Sequence, residues 1–219
     1  MGRIVAALDE AARRRLHDAA SVRCLDAVLH GSAALAQPGA TLPVAEPSTG
    51  VPALDLAGSL RAAAQESIAR DRVASLTGSL ALDAIIPTVL ESLGPTPTWT
   101  EFPTETVVSL YSRYTHERDL AGLVGQFCGH DFDRVFRYYV TRDLSDFVGQ
   151  PAMPTVAEAA RLVAGVGDFC RVRGSLPTLR HREQDLQEIV GLPPEVRVKE
   201  LQPLTEETIR AGLANLTGG

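Results

Sequence analysis

Apolar residues recur at helical spacing over residues 4–37, where Val5, Leu8, Ala12, Leu16, Val22, Leu25 and Leu29 fall near one face and no Pro or Gly intervenes before Gly31. This predicts a first long helix whose stripe is partly alanine, a surface that packs closely but removes little apolar area from water. A second amphipathic helix is expected over 55–76, with Asp55 as its cap, Leu56, Leu60, Ala63, Ala64 and Ile68 on one side, and Arg61, Gln65, Glu66 and Arg70 on the other. Residues 80–93 are apolar but contain Pro87, which predicts that one helix ends and another begins there, with Thr88 and Glu91 spaced as a capping box. Further helices are expected over 104–116, 118–128, 131–148 and 155–173. The third of these carries Phe132, Phe136, Tyr139, Val140 and Phe147 on one face, with Asp133–Arg137 and Arg142–Asp146 spaced to pair across a turn. The fourth opens with the capping box Thr155 and Glu158, closes near Gly174, and reads as the buried helix, with Gly165 and Gly167 admitting a neighbouring backbone. A helix over 177–190, a short alternating stretch at Val196, Val198 and Leu201, and a last helix from Thr205 complete the chain.

Two breaks divide this pattern. Residues 38–53 hold Pro38, Pro43, Pro47 and Pro52 with Gly39 and Gly50, and residues 94–103 hold Pro95, Pro97 and Pro103; neither helix nor central strand continues through such spacing. All 11 aromatic residues lie between Trp99 and Phe169, which predicts that the tightest core forms there. The fold class expected is therefore mainly α, a multi-helix bundle with an aromatic-rich core in its second half and at most one short β element near the C-terminus. Residues 1–98 read as an Ala-rich helical region interrupted by the Pro-rich loop, and residues 99–219 as an aromatic-cored bundle with a C-terminal extension; a single continuous domain is the other division the pattern allows.

Composition narrows the function classes. At 219 residues the chain is long enough to build a core without disulfide or metal. A formal charge of −6 argues against broad electrostatic capture of nucleic acid or of an anionic membrane. Cys24, Cys128 and Cys170 are odd in number and widely spaced, which fits a reducing, cytoplasmic setting. The apolar stretch before Asp9 is too short for a signal peptide, Ala6 stands where a myristoylation signal has Ser or Thr, and the longest uncharged run, 31–45, is broken by two prolines; no membrane anchor is expected. Of the 21 basic residues only Lys199 is Lys, a bias read as genomic composition before chemistry.

Reactive groups are densest at Cys128, Gly129, His130, Asp131, Phe132 and Asp133, where a thiolate, an imidazole and two carboxylates are candidate metal ligands. The competing explanation makes Gly129 a bend, Asp131 the cap of a helix starting at Phe132, and Asp133 a first-turn acid. The His130–Asp131 pair resembles one element of the HD phosphohydrolase pattern, which also requires an upstream His and a downstream Asp around the same metal. His116, Glu117, Arg118 and Asp119 read as a solvated connection, and Cys128 with His116 or His130 reads as a packed thiol before a nucleophile and base. Arg23 and His30 flank six residues. That spacing resembles HEPN-type helical ribonucleases, in which an Arg and a His act on the RNA phosphate; the resemblance implies a homodimeric composite site, and Cys24 replaces the polar residue usual beside that Arg. Two basic clusters, Arg13 to Arg15 and Arg171, Arg173, Arg180, His181 and Arg182, read as solvated or protein-pairing faces. Gly-rich phosphate loops, nucleotide fingerprints, nucleophile elbows and paired-Cys metal motifs are missing from the sequence.

These readings converge on a cytoplasmic, non-enzymatic helical adaptor or structural subunit that binds another protein or its own copy, without cofactor, membrane or nucleic acid. The alternative is a small helical enzyme: a metal-dependent phosphohydrolase using Cys128, His130, Asp131 and Asp133, or a HEPN-like ribonuclease using Arg23 and His30.

Overall fold

The computed structural model describes residues 18–43, 48–94, 98–144, 148, 155–174 and 181–217. Eight α-helices occur among these residues: α1 (Ala19–Leu35), α2 (Pro52–Arg70), α3 (Leu76–Ser92), α4 (Thr104–His116), α5 (Leu120–Leu144), α6 (Val156–Gly174), α7 (Glu183–Val190) and α8 (Pro194–Thr217), with a 3₁₀ turn at Thr98–Glu101 before α4. None of them is long and apolar enough to cross a membrane.

Helix α1 is the hub of the bundle and packs against α2, α3, α4, α5, α7 and α8. Asp18 caps it, accepting from the Ala20 and Ser21 amides at 3.0 and 2.9 Å, and its other oxygen accepts from the Thr77 hydroxyl at 2.5 Å, so one carboxylate starts α1 and ties it to α3. Val22, Leu25, Val28 and Leu29 of α1 are all buried. The contact with α3 depends on Gly78, where an added Cβ would stand 2.3 Å from that of Ala20. Across α4, the Tyr111 hydroxyl donates to the Val28 carbonyl at 3.0 Å while the Ser32 hydroxyl donates to the Tyr111 carbonyl at 2.9 Å. This reciprocal pair satisfies two polar groups inside an otherwise apolar contact.

Several elements differ from the sequence reading. Helix α2 starts at Pro52, three residues before the expected cap, because proline's fixed φ suits the first helical position. Asp55 instead lies buried in the first turn and fastens the preceding loop, accepting from the Thr49 amide at 2.7 Å and the Ser48 hydroxyl at 2.7 Å. The helix stops at Arg70, and Arg72 follows at φ 55°. Pro87 does not divide α3; it sits inside one helix, and the Thr88 hydroxyl donates back to the Ala84 carbonyl at 2.7 Å rather than capping a new one. The two helices expected over 118–128 and 131–148 are one helix, α5, so Gly129 is no bend. Both faces of α5 are buried among α1, α3, α4, α6 and α7, and that burial outweighs a glycine penalty of about 1 kcal/mol. Helix α6 is not uniformly buried: Ala159 and Cys170 are, but Val156 is 73% exposed, and Gly165 faces open space rather than a neighbouring backbone. Its capping box forms as read, the Glu158 amide donating to Thr155 Oγ1 at 3.2 Å and the Thr155 amide to Glu158 Oε2 at 3.1 Å. The expected β element does not occur among the described residues, because Val196, Val198 and Leu201 belong to α8.

One continuous core links buried residues from Ala20 to Ile209, so helices on both sides of residue 98 contribute to it. Its side chains are mostly aliphatic. The aromatic core expected in the second half does not form as a cluster among the described residues: rings meet only in pairs, Tyr111 with Tyr114, Phe132 with Phe136, and Tyr138 with Tyr139. Each pair comes from residues one to four apart on one helix, so helical geometry brings these rings together locally. Residues 1–17 and 145–147, with the Arg13 to Arg15 cluster, Asp146 and Phe147, lie outside the described residues, as do the surroundings of Gly167.

Candidate functional site

A cleft of about 520 Å³ opens between α1, α2 and the start of α8. Antiparallel packing of α1 and α2 builds its floor from small and aliphatic residues: Ala27 and Gly31 on α1 face Leu60 and Ala64 on α2. Gly31 sets the spacing, because a Cβ there would meet the Leu60 side chain at 2.6 Å. Ala34 and Ala63 are exposed at the rim, and Ala40, Thr41 and Pro43 of the proline loop close one end.

Three arginines line this cleft, and each is tied to a carboxylate. Arg23 Nε donates to Asp71 Oδ2 at 2.7 Å and Nη2 to the same oxygen, while Nη1 donates to the Ala19 carbonyl at 2.9 Å. Arg197, on α8, is buried; Nε and Nη2 grip the two oxygens of Asp26, the second at 3.1 Å, and Nη1 donates to the Leu192 carbonyl at 2.9 Å. Arg70, at the outer edge, pairs with Glu66 at 3.5 Å. His30 stands exposed at the mouth. Packing around its ring, and after it the Arg197 cation, lowers its pKa from the ordinary histidine value against the opposing pull of Asp26, so the neutral imidazole is favoured. Among these groups one polar atom is left over: Ser59 Oγ is buried in the cleft wall with no hydrogen-bond partner.

Arg23 and His30 thus line the same cleft from one face of α1, two turns apart. Chemically they are unequal, since the Arg23 guanidinium is already committed to Asp71 and Ala19.

The residues proposed as a metal centre are not brought together. At about 100° per residue, α5 sets Cys128 and Asp131 on one face, about 60° apart, and His130 and Asp133 on the roughly opposite face. His130 Nε2 lies 2.7 Å from Glu91 Oε2 of α3, and Asp133 Oδ1 accepts from Arg137 Nε at 2.5 Å, the pairing read from the sequence. Among the described residues no group of three or more His, Cys, Asp or Glu side chains is placed to hold a metal ion. Asp131 is no cap. It is buried in mid-helix with Oδ1 unpartnered, and burial, then the Asp18 carboxylate, pushes its pKa up to about 8. Burial likewise raises the Cys128 and Cys24 thiols far above the ordinary range, with Asp131 adding to both, which leaves them protonated and unreactive. All three cysteines are buried, and none of them is in a disulfide.

His116, Glu117, Arg118 and Asp119 form the exposed connection between α4 and α5 that the sequence suggests, with Arg118 at φ 56°. In the second basic cluster, Arg182 pairs with Asp185 at 2.9 Å and Glu207 at 3.5 Å; Arg180 and the side chains of Arg171 and Arg173 lie outside the described residues. Sequence reasoning missed Glu183, whose carboxylate accepts from the Leu120 and Ala121 amides at 3.1 and 2.8 Å and so caps α5 from another element. It also missed the Asp26–Arg197 tie and the cleft itself. A glycine amid the α1 stripe was the one available signal for the close approach at Gly31.

Comparison with known proteins finds no matching family model, no matching curated protein and no matching solved structure.

Proposed function

We propose that this chain is a non-enzymatic helical adaptor or structural subunit that acts by binding another protein or a second copy of itself. The observation that carries the reading is the pairing of every arginine lining the cleft with a carboxylate of the chain: Arg23 with Asp71, Arg197 with Asp26, Arg70 with Glu66. Guanidinium groups that stabilise a phosphoryl or acyl transition state must be able to turn toward developing charge. Here Arg197 holds α1 to α8 and Arg23 holds α1 to the residue that ends α2, while Arg70 pairs at the surface with Glu66 of its own helix. The other candidate reactive groups serve packing in the same way, His130 toward Glu91 and Asp133 toward Arg137. The loop residues Ala40, Thr41 and Pro43 at the cleft's end are the surface at which a partner is placed in this reading. Native mass spectrometry of the protein purified untagged from its own host tests it. A homo-oligomer or a complex of defined stoichiometry is expected, whereas a bare monomer that hydrolyses a phosphoester overturns the reading.

A second reading, a HEPN-like ribonuclease, is favoured by the placement of Arg23 and His30 on one face of α1 beside a common cleft. It requires Arg23 to leave Asp71 on binding RNA. Degradation of single-stranded RNA that is abolished by both Arg23→Ala and His30→Ala would establish it, and no degradation by the wild-type protein removes it.

A further inference from the structure

Helix α3 carries large apolar residues on its outside. Its buried side, packed against α1, α2 and α5, consists largely of small residues, Gly78, Ala81 and Ala84 with Thr77, Thr88 and Ser92; Ile85 and Val89 are the larger exceptions. On the open side Leu76 is 48% and Ile86 37% exposed, and Leu80, Pro87 and Leu90 are half-buried. A helix at the surface of a soluble fold ordinarily places charged and polar residues there. Along this face, between Leu76 and Leu90, the polar exceptions are Ser79 and Asp83.

The outer positions are periodic. Leu76, Leu80, Asp83, Pro87 and Leu90 follow one another at steps of four, three, four and three residues, the alternation by which one helix lays a seam against another. At about 100° per residue the five fall within an arc of about 80°, and at 1.5 Å per residue they run about 20 Å along α3. Asp83 is the middle member. A two-fold axis at Asp83, perpendicular to the helix, therefore sets Leu76 opposite Leu90 of a second copy and Leu80 beside its Pro87, each contact being made twice. The same axis brings two Asp83 carboxylates together, a repulsion that calls for nearby cations. Helix α2 supplies them: Arg61 Nη2 donates to Asp83 Oδ1 at 3.2 Å, with both side chains reaching solvent. That bond uses one of the five N–H donors of a guanidinium, so each Arg61 has donors to offer the second carboxylate, and the pair is complementary to its own copy. A polar residue at one seam position also fixes the register of the helices that meet there.

We infer that α3 is a self-association surface, on which two copies of the chain pair antiparallel along the seam from Leu76 to Leu90, closed at its centre by Arg61 and Asp83 of both copies. This inference rests on the self-binding form of the adaptor reading, and it names α3 rather than the proline loop as the surface that a second copy covers. A single pair of helices of this length buries less than the roughly 1,600 Å² of a standard interface, so the expected product is a reversible dimer in the micromolar range.

Sedimentation velocity of the full chain from about 5 to about 500 µM brackets that range. A concentration-dependent equilibrium between monomer and dimer is expected. Leu76→Asp should weaken it at least ~10-fold, because a charge enters an apolar contact, while an acid in the first turn suits the free helix and leaves the circular dichroism spectrum unchanged. Ile86→Asp serves as a second variant if Leu76→Asp does not fold. Asp83→Arg should weaken the dimer by a similar factor, by gathering four cations at the axis, and adding Arg61→Asp to it should restore the wild-type constant to within about threefold. The inference is overturned if the wild type stays monomeric throughout, if both folded acidic variants dimerise like it, or if the charge swap does not restore association. Binding of phosphatidylcholine vesicles by a chain that stays monomeric would overturn it in favour of a lipid surface. A complex with a different protein in native mass spectrometry, found together with a monomeric isolated chain, removes this inference and leaves the adaptor reading standing; a monomer with no partner removes both.

Discussion

Replacing Asp131 by Asn should change the pH dependence of stability more than stability itself. Asp131 lies inside α5, 5% exposed, and its pKa is pushed up from 3.8 to about 8 by burial and, secondarily, by Asp18. In the unfolded chain the carboxyl has lost its proton above about pH 4. In the folded protein it keeps that proton to about pH 8. Between these values the native state binds one more proton than the unfolded state, so this group's contribution is complete below pH 4 and declines as pH rises. The slope is about 1.4 kcal/mol per pH unit, and the contribution lost across the whole window is on the order of 5 kcal/mol. The asparagine amide mimics the protonated carboxyl and does not titrate. Urea unfolding of both proteins at pH 5, 6, 7, 8 and 9 should therefore give a stability difference that shifts steadily in favour of the variant up to about pH 8 and then levels. Any change in hydrogen bonding caused by the amide adds only a constant offset. A difference that stays flat from pH 5 to 8, or that runs in favour of the wild type, would refute the assignment of a neutral buried acid.

Two further outcomes follow from packing. Arg197→Ala strands the Asp26 carboxylate between α1 and α8, and should cost about 3–5 kcal/mol in chemical denaturation, whereas replacing both partners with apolar residues should cost clearly less; equal losses in the single and double variants would show that the pair is not coupled. Gly78→Ala forces a methyl group to within 2.3 Å of Ala20 and should destabilise by about 1–3 kcal/mol, while Gly165→Ala, with nothing within 4 Å, should stabilise α6 by up to about 1 kcal/mol; thermal melts showing the same sign for both would contradict the packing described.

What the sequence disclosed was governed by interaction range. Helix α4 has the bounds 104–116 in both readings, the Thr155–Glu158 box forms, and Asp133 meets Arg137, because each of these is decided within one turn or by an adjoining proline. Local rules failed where burial overrode them. Gly129 and Pro87 are strong breakers in an isolated helix, yet both lie inside helices held on several sides. The stretch around Val196 and Val198 alternates over a few residues only; continued to Leu201, Leu204, Thr205, Thr208 and Ile209, all buried, the period is that of a helix. The cleft was illegible for a different reason. It is made of alanines and glycine from α1 and α2 whose proximity depends on the whole bundle, and the Arg23–His30 spacing marked its wall without revealing that Asp71, 48 residues on, holds the arginine.

The pairing of Asp26 with Arg197 spans 171 residues, and this separation bears on how the protein is made. At about 5–20 residues per second, roughly 10–30 s elapse between synthesis of the acid and synthesis of its arginine. Throughout that interval the nascent hub helix must keep a carboxylate in water that the finished molecule draws inward. Closure of its face toward α8 is therefore deferred until the chain beyond residue 197 is available to cover it.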